Sequence, residues 1–180
     1  CPTEYGDIIP SDITLSAGVK EFYEKGRESL LKEALSDIGD EYDYIIIDTP
    51  PALNILTINA YVASDYIIVP MSSEILSLVG LTQLKETVDS VRLSLNPQIR
   101  ILGILLTKFN SRTRLANEVK EMAESVALQM DTALFDNKIR NSVSVSEMPA
   151  HGMSIFKYAP RSKPAEDYLC FVREVIERIG

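Results

Sequence analysis

The chain has 180 residues, 46% of them hydrophobic and 24% charged, a balance typical of one folded domain of ordinary size rather than of a disordered chain. A formal net charge of −8 argues against general nucleic-acid binding, because phosphate contacts need lysine and arginine, so any DNA contact must come from a local basic patch. No apolar run reaches the roughly 20 residues of a membrane span, and Cys1 and Cys170 match no metal-binding spacing, which favours reduced thiols.

Short apolar runs alternate along the chain with longer segments of helical periodicity, without an internal repeat or a linker. This alternation is typical of βα units, so we predict a single domain, residues 1–180, of the α/β class with a mostly parallel sheet flanked by helices. In chain order, the predicted strands span residues 7–10, 42–48, 65–70, 99–109 and 132–135. The predicted helices span residues 26–39, 53–62, 78–95, 115–128, 143–148 and 165–179.

The segment 42–48, Tyr-Asp-Tyr-Ile-Ile-Ile-Asp, has an apolar run without alternation, which predicts a strand buried on both faces. It ends on Asp48, and the prolines of Thr49-Pro50-Pro51 prevent the strand from continuing, because proline has no N–H and a fixed φ. Ligands of open α/β sheets bind beyond the carboxyl ends of the strands. Asp48 is therefore predicted at the rim of a ligand crevice, where a carboxylate suits Mg²⁺. The alternative is that Asp48 caps the next helix or starts a turn.

Residues 41–70, EYDYIIIDTPPALNILTINAYVASDYIIVP, resemble the Walker B region of the ParA/Soj/MinD family of deviant Walker A P-loop ATPases, and its partition branch in particular. The resemblance continues through 80–113 and 139–168, and so covers the chain in order. It implies a P-loop NTPase-like fold in which Asp48 is the Walker B aspartate, acting on Mg²⁺ mainly through water. It also implies that Thr49-Pro50-Pro51 belong to the switch that senses the nucleotide.

The family binds phosphates with a glycine-rich loop ending in Gly-Lys-Thr, whose backbone N–H groups cradle the phosphates. No Gly-Lys-Ser/Thr occurs in these 180 residues, and Gly18 and Gly26 are too far apart for the motif. The resemblance implies the C-terminal part of the family's ATPase domain, preceded by roughly 60 to 90 residues at ~30 residues per βαβ unit. We expect the intact parent to hydrolyse ATP and this chain alone to be inactive. We also expect an unpaired sheet edge that promotes aggregation or a non-native dimer.

By the same resemblance, the end of the strand 99–109 and the loop after the last strand approach the adenine. The candidates for base contact are Thr107, Asn110 and Arg140. Many relatives have Ile-Pro where this chain has Ile139-Arg140. Threonine and asparagine at strand ends are also common turn residues, which is the alternative interpretation.

Arg112, in Asn-Ser-Arg-Thr-Arg, matches an arginine that the family uses for non-specific DNA binding, and Arg114 lies beside it in sequence. A companion arginine of relatives falls on Ser144 here. Other cations that can contribute to a patch are Lys138, Arg140, Lys157, Arg161 and Lys163. The alternative is an ordinary solvated surface.

The resemblance thus implies a chromosome or plasmid partition ATPase of the ParA/Soj type, with ATP and Mg²⁺ as cofactors of the intact protein. Such a protein forms a homodimer with ATP, binds non-specific DNA, and hydrolyses ATP on contact with a ParB-like DNA-bound stimulator, in the cytoplasm on the nucleoid. A MinD-like division-site ATPase is one alternative. Stable membrane association is not expected, because Glu174 and Glu177 interrupt any basic face of the last helix. A non-enzymatic, truncated interaction domain is the other alternative.

Overall fold

The computed structural model describes residues 1–3, 6–12 and 27–180, so the glycines Gly18 and Gly26 lie outside the described residues. Its strands are β1 (Pro2–Thr3), β2 (Gly6–Asp7), β3 (Tyr66–Ser72) and β4 (Arg100–Thr107). Its α-helices are α1 (Leu30–Ser36), α2 (Ile55–Ala63), α3 (Ile75–Ser94), α4 (Arg114–Gln129), α5 (Val143–Glu147), α6 (Ile155–Tyr158) and α7 (Lys163–Ile179). Short 3₁₀ helices span Gly39–Glu41 and Met148–His151.

The main sheet is built on β3 and β4, which pair in parallel from Tyr66 opposite Arg100 to Ser72 opposite Thr107. On the side of β4 away from β3, residues 133–141 run parallel to β4 and pair with it and the residues just after it through isolated bridges at Leu134 and Arg140. We call residues 133–141 the outer segment. β1 and β2 form a separate antiparallel pair. The α/β class and the parallel main sheet are therefore as predicted.

Helices cover both faces of this sheet. Successive residues of β4 point to opposite faces, and each set packs against a different group of helices. Ile104 and Leu106 are buried in the core formed with β3 and the helices α2, α3 and α4. Leu105, between them, is buried with Phe135 in a second cluster, against which residues of α7 pack. The ring of Phe171 on α7 meets Phe135 edge-on, with centroids 5.0 Å apart. Alternation along one strand thus produces a three-layer arrangement.

The four long helices predicted from periodicity are confirmed as α2, α3, α4 and α7, each beginning and ending within a few residues of its predicted bounds. The short helix predicted at 143–148 is α5, and the strand predicted at 99–109 is β4. The helix predicted at 26–39 is reduced to α1, with a 3₁₀ helix after it.

Three strand predictions are wrong in extent. Pro70 does not end β3, which continues to Ser72. The strand predicted at 132–135 is a single bridge at Leu134. Of the residues 7–10, only Asp7 lies in a strand.

The buried strand predicted at 42–48 is wrong. These residues form no strand, and Ile46 is 93% exposed. The physical reason is pairing: within the described ranges no strand lies against this segment, and an apolar sequence alone cannot satisfy the N–H and C=O groups of an interior strand. The segment is held at its start, where the Tyr42 hydroxyl donates to Asp7 Oδ2 at 2.5 Å, a hydrogen bond that raises the pKa of Tyr42.

The side of β3 away from β4 is an open edge as far as the described residues show. The carbonyl of Asp65 accepts from the Arg100 N–H at 3.1 Å, so alternation turns the backbone groups of residues 66, 68, 70 and 72 toward the open side. Pro70 therefore removes no hydrogen bond from the β3–β4 ladder. It deletes one donor from the open edge, which is how natural sheets limit edge-to-edge pairing.

We predict that the 180-residue chain self-associates through this edge, because the N–H groups of Ile68 and Ser72 still face outward and the side chain of Ile68 is 36% exposed. Ile68→Lys places a charge on the edge strand and should lower the weight-average mass in sedimentation velocity. Val79→Lys is the control, since Val79 is 63% exposed on α3 and lies outside the sheet. A chain that sediments as a monomer at tens of micromolar, or equal effects of both substitutions, contradicts the prediction.

Candidate functional site

The carboxyl ends of β3 and β4 meet at one edge of the sheet, where Ser72 lies opposite Thr107. We call this edge the carboxyl edge. Side-chain hydroxyls connect the two ends: Thr107 Oγ1 donates to the carbonyl of Met71 at 3.2 Å, and Ser73 Oγ donates to the carbonyl of Thr107 at 3.4 Å. The Ser72 and Ser77 hydroxyls lie 2.8 Å apart. The edge is therefore fixed by hydrogen bonds before any ligand binds, and the base contact proposed for Thr107 stays a prediction.

Three helices begin at this same edge, because each crosses antiparallel to the strands. α2 starts after the Asp48 loop, α3 starts after β3, and α4 starts after β4. Asn54 Oδ1 caps α2 by accepting from the Leu56 N–H at 2.9 Å, and Thr113 Oγ1 accepts from the Ala116 N–H at 3.4 Å at the start of α4. The amino ends of helices carry partial positive charge, so the edge favours a bound anion such as a phosphate.

A cleft of about 600 Å³ opens at this edge, between the loop after Asp48, the end of β3 and the first half of α3. Pro51, Ala52 and Leu53 form its loop wall. The loop is anchored to α2, because the hydroxyl of Thr57, which is only 1% exposed, donates to the Ala52 carbonyl at 2.7 Å. This hydrogen bond holds the loop wall of the cleft against α2.

Asp48 lies in solvent three residues ahead of this wall, with Thr49 partly buried and Pro50 exposed after it. Its carboxylate is neither in the sheet interior nor among the capping groups of α2, whose cap is Asn54. The capping alternative for Asp48 is thus wrong, while its role toward a metal stays a prediction.

A single exposed carboxylate suits Mg²⁺ that arrives with a phosphate ligand. Mg²⁺ keeps several waters and usually takes one or two carboxylates together with substrate phosphates. Across residues 1–3, 6–12 and 27–180, no group of three or more His, Cys, Asp or Glu side chains is placed to hold a metal by itself. One exposed carboxylate is the kind of ligand that Mg²⁺ shared with a nucleotide accepts.

The chain bends at Lys108, directly after β4, where φ is 50°, a left-handed value uncommon for a residue with a side chain. After the bend, Phe109 returns to the outer segment: its N–H donates to the Ile139 carbonyl at 3.0 Å, and its carbonyl accepts from the Asn141 N–H at 3.3 Å. Phe109 and the bridged Arg140 thus form the far side of the carboxyl edge.

Asn110 organises the turn that leads into α4. Its Oδ1 accepts from the Arg112 N–H at 3.2 Å, and its carbonyl accepts from the Thr113 hydroxyl at 3.0 Å. This is the turn role that was the alternative for Asn110. A contact with a base stays a prediction, because the turn lies at the same edge.

Arg112 and Arg114 are both exposed at the start of α4. Arg114 Nε contacts Glu118 Oε1 at 2.7 Å on the same helix, in a pair whose arginine side chain is 92% exposed. Among the residues with described positions, Arg112 has no ion pair. Arg112 is therefore the more available of the two cations for an external anion.

Arg140 forms a two-pronged ion pair with Asp167 of α7. Its Nε donates to Asp167 Oδ2 at 2.6 Å and its Nη2 to Oδ1 at 2.5 Å, while its backbone N–H also reaches Oδ2 at 3.2 Å. These hydrogen bonds raise the pKa of Arg140 above its usual range. The guanidinium predicted to contact a nucleotide is thus engaged by α7.

Glu174 and Glu177 were both predicted from the sequence to interrupt a basic face of α7; Glu177 is exposed, but Glu174 is only 9% exposed and turns inward. Its carboxylate accepts from the backbone N–H of Asp136 at 2.8 Å, from that of Asn137 at 3.0 Å, and from Asn137 Nδ2 at 2.7 Å. These hydrogen bonds compensate for the burial of the Glu174 carboxylate. The two backbone N–H groups have no partner in the sheet ladder, because the outer segment leaves the ladder there.

Arg178, one turn further along α7, completes the arrangement. It donates to Glu174 Oε1 at 2.7 Å and to the carbonyls of Leu102 at 2.9 Å and Leu134 at 2.7 Å, and it lies over the Phe135 ring. Gly103 makes the approach possible, since a Cβ there would lie 2.6 Å from Arg178 Nη1. The sequence carries a signal for this set, because Asp167, Glu174 and Arg178 recur at spacings of seven and four on one helix face.

The family model described as an AAA domain matches residues 2–101. The chain is similar to the chromosome partitioning protein ParA of Myxococcus xanthus, with 39% identity over 98% of this chain and 62% of that protein. It is 42% identical to the sporulation initiation inhibitor protein Soj of Bacillus subtilis over 94% of this chain. It spans 66% of that protein, and so less than two thirds of both relatives.

Solved structures agree with the fold prediction. Apo McdA of Cyanothece matches with a TM-score of 0.77 at 25% identity, covering 96% of this chain and 67% of that one. Cobyrinic acid a,c-diamide synthase of Mycobacterium smegmatis with bound ATP analogue and magnesium matches at 0.66 and 28% identity, covering 80% and 63%. MinD of Pyrococcus furiosus matches at 0.67 but is 22% identical, which shows the fold alone. The predicted P-loop NTPase-like α/β fold is therefore confirmed.

Glu174 generates a prediction about stability and pH. Burial raises its pKa, but the hydrogen bonds from Asn137 and Asp136 and the charge of Arg178 outweigh burial, so the pKa lies below its ordinary value. Its stabilisation is present above the pKa of the unfolded chain, about 4.5, and is lost as pH falls through the lower folded value. Glu174→Gln should cost about 3 kcal/mol of unfolding free energy at pH 7 and lose part of this acid dependence.

Urea unfolding at pH 7 and at pH 4 measures both effects. Glu177→Gln is the control, since Glu177 is an exposed acid on the same helix and should change little. Equal losses for the two variants at pH 7, or an unchanged pH dependence for Glu174→Gln, count against the burial argument.

Proposed function

The chain belongs to the ParA/Soj family of partition proteins, and from that premise we propose that the protein is a partition ATPase that binds ATP with Mg²⁺ at the carboxyl edge of its sheet. One observation carries the proposal. Asp48, Thr49 and Pro50 lead directly into the wall of the cleft at the edge where three helices begin. A carboxylate for the metal and positive helix ends for phosphates thus occur together, which is the combination that phosphoryl transfer needs.

Each part of the site has its own residues. Asp48 orients the water shell of Mg²⁺, and Thr49-Pro50-Pro51 respond to the nucleotide because they join the carboxylate to the anchored cleft wall. Thr107, Asn110 and Arg140 lie toward the base. The 180 residues contain no Gly-Lys-Ser/Thr loop, so we assign to them the metal and base sides of the site and helix ends that face the phosphates, but not the glycine-rich phosphate cradle.

We further propose that the protein acts as an ATP-dependent homodimer on non-specific DNA, with hydrolysis stimulated by a ParB-like DNA-bound partner, in the cytoplasm on the nucleoid. Support for DNA contact comes from Arg112, an exposed cation without an ion pair to the described residues, beside the exposed Arg114. A local patch of this kind can bind DNA despite the net charge of −8. None of the helices seen in the described ranges is long and apolar enough to cross a membrane.

Asp48→Ala tests the metal role in protein expressed from its complete open reading frame. Loss of the carboxylate should lower the apparent Mg²⁺ affinity at least about tenfold and ATP hydrolysis on the order of 100-fold. ATP binding without Mg²⁺ should change little. Asp43→Ala removes an exposed carboxylate from the same segment and serves as the control. Wild-type Mg²⁺ dependence in Asp48→Ala refutes the assignment.

Arg112→Glu tests the DNA surface. Reversing one phosphate-contacting charge should weaken binding of a random-sequence duplex about tenfold and reduce the slope of log K against log salt by roughly 0.9 per lost contact. ATP hydrolysis without DNA should be unchanged. Fluorescence anisotropy at several salt concentrations measures the slope, with Arg173→Glu on the exposed side of α7 as the control. If both variants bind like the wild type, Arg112 has no role in DNA binding.

A further inference from the structure

The outer segment is joined to the sheet by an interrupted ladder. Its first hydrogen bonds to β4 are at Ile104, which donates to the Ala133 carbonyl at 3.1 Å and accepts from the Phe135 N–H at 2.9 Å. Pairing resumes at Ile139, whose N–H donates to the Leu106 carbonyl at 2.9 Å. Between these points, residues 136–138 leave the ladder, so sheet pairing alone does not fix where the segment ends.

Side chains of α7 replace the missing ladder. Glu174 accepts from the N–H groups of Asp136 and Asn137, where the ladder is broken. Asp167, seven residues earlier on the same helix face, accepts from the backbone N–H and the guanidinium of Arg140. The helix therefore holds the middle of the segment with one carboxylate and its end with another.

Arg140, which Asp167 holds, lies at the carboxyl edge on the side of β4 away from β3. Neighbouring strands lie about 4.8 Å apart, so the outer segment is roughly 10 Å from β3 across the sheet. The cleft is lined by residues 51–53, the end of β3 and the first half of α3, and by no residue of the outer segment. In the proposed binding mode, with phosphates and metal near Asp48, the base of the nucleotide is directed toward Phe109 and Arg140, which pair where the outer segment ends.

We propose that Asp167 is a positioning residue of the nucleotide site, which holds Arg140 and the end of the outer segment at the base side without contacting the ligand. This inference rests on the proposed ATP binding. Asp167 is the residue to test, because its partner Arg140 has a side chain that is 42% exposed at the end of the segment, whereas Glu174 holds residues 136 and 137 in the middle of it. Without Asp167, binding must itself order the segment end, which costs affinity.

The experiment uses protein expressed from its complete open reading frame and calorimetric titration with Mg²⁺–ATP and with Mg²⁺–tripolyphosphate. Asp167→Ala should raise the Kd for ATP about five- to tenfold and leave the Kd for tripolyphosphate unchanged, because tripolyphosphate has no base. Glu118→Ala, which cuts the ion pair to Arg114 away from the outer segment, should alter neither Kd. In an Arg140→Ala background, Asp167→Ala should change the Kd for ATP no further.

Each other result has a definite meaning. Equal weakening of ATP and tripolyphosphate binding, an unchanged ATP affinity in Asp167→Ala, or a further loss in the Arg140→Ala background overturns the positioning role. A wild-type protein that binds no Mg²⁺–ATP overturns the proposed function instead. If the alanine variant folds poorly, Asp167→Asn keeps the side-chain volume and should raise the ATP Kd in the same direction, and wild-type ATP affinity in that variant also overturns the inference.

Discussion

The parallel pairing of β3 with β4 is the constraint on which the rest of the structure depends. Parallel strands place their carboxyl ends on one edge, and each connecting helix must then begin at that edge. The amino ends of α2, α3 and α4 therefore lie along one edge, and the loop that follows Asp48 forms a wall of the cleft between the end of β3 and α3. Proximity of a carboxylate, helix ends and a cleft is thus a consequence of topology rather than of any single contact.

Local periodicity was enough to predict the long helices and β4, because amphipathic stripes and apolar runs report which face is buried. It failed at 42–48, where the sequence predicts a buried strand and Ile46 is exposed. Whether an apolar run becomes a strand depends on a neighbour supplied from elsewhere, and composition does not contain that information. Pro70 shows the same limit: it was read as a strand end, but an edge position tolerates proline because its nitrogen faces away from β4.

The candidate site was only partly predicted from the sequence, again because contacts between distant segments decide part of it. Asp48 was predicted from a strand-end rule, but the strand at 42–48 does not form, so its place at a metal site stays a prediction. The spacing of Asp167, Glu174 and Arg178 places them on one face of α7, but their partners could not be predicted, because a glutamate on a helix is usually exposed and Glu174 is buried among backbone donors. Those donors exist because the outer segment leaves the ladder, an irregularity invisible in the sequence. As a result, the last helix holds the outer segment through Asp167, Glu174 and Arg178.

The central claim is that Asp48 faces the metal of a nucleotide bound at the carboxyl edge. A crystal structure of the protein from its complete open reading frame, with a non-hydrolysable ATP analogue and Mg²⁺, tests it most directly. The account predicts a carboxylate oxygen of Asp48 about 4 Å from Mg²⁺ with a coordinated water between them. Magnesium and phosphates bound away from this edge, with no coordinated water in reach of Asp48, contradict it.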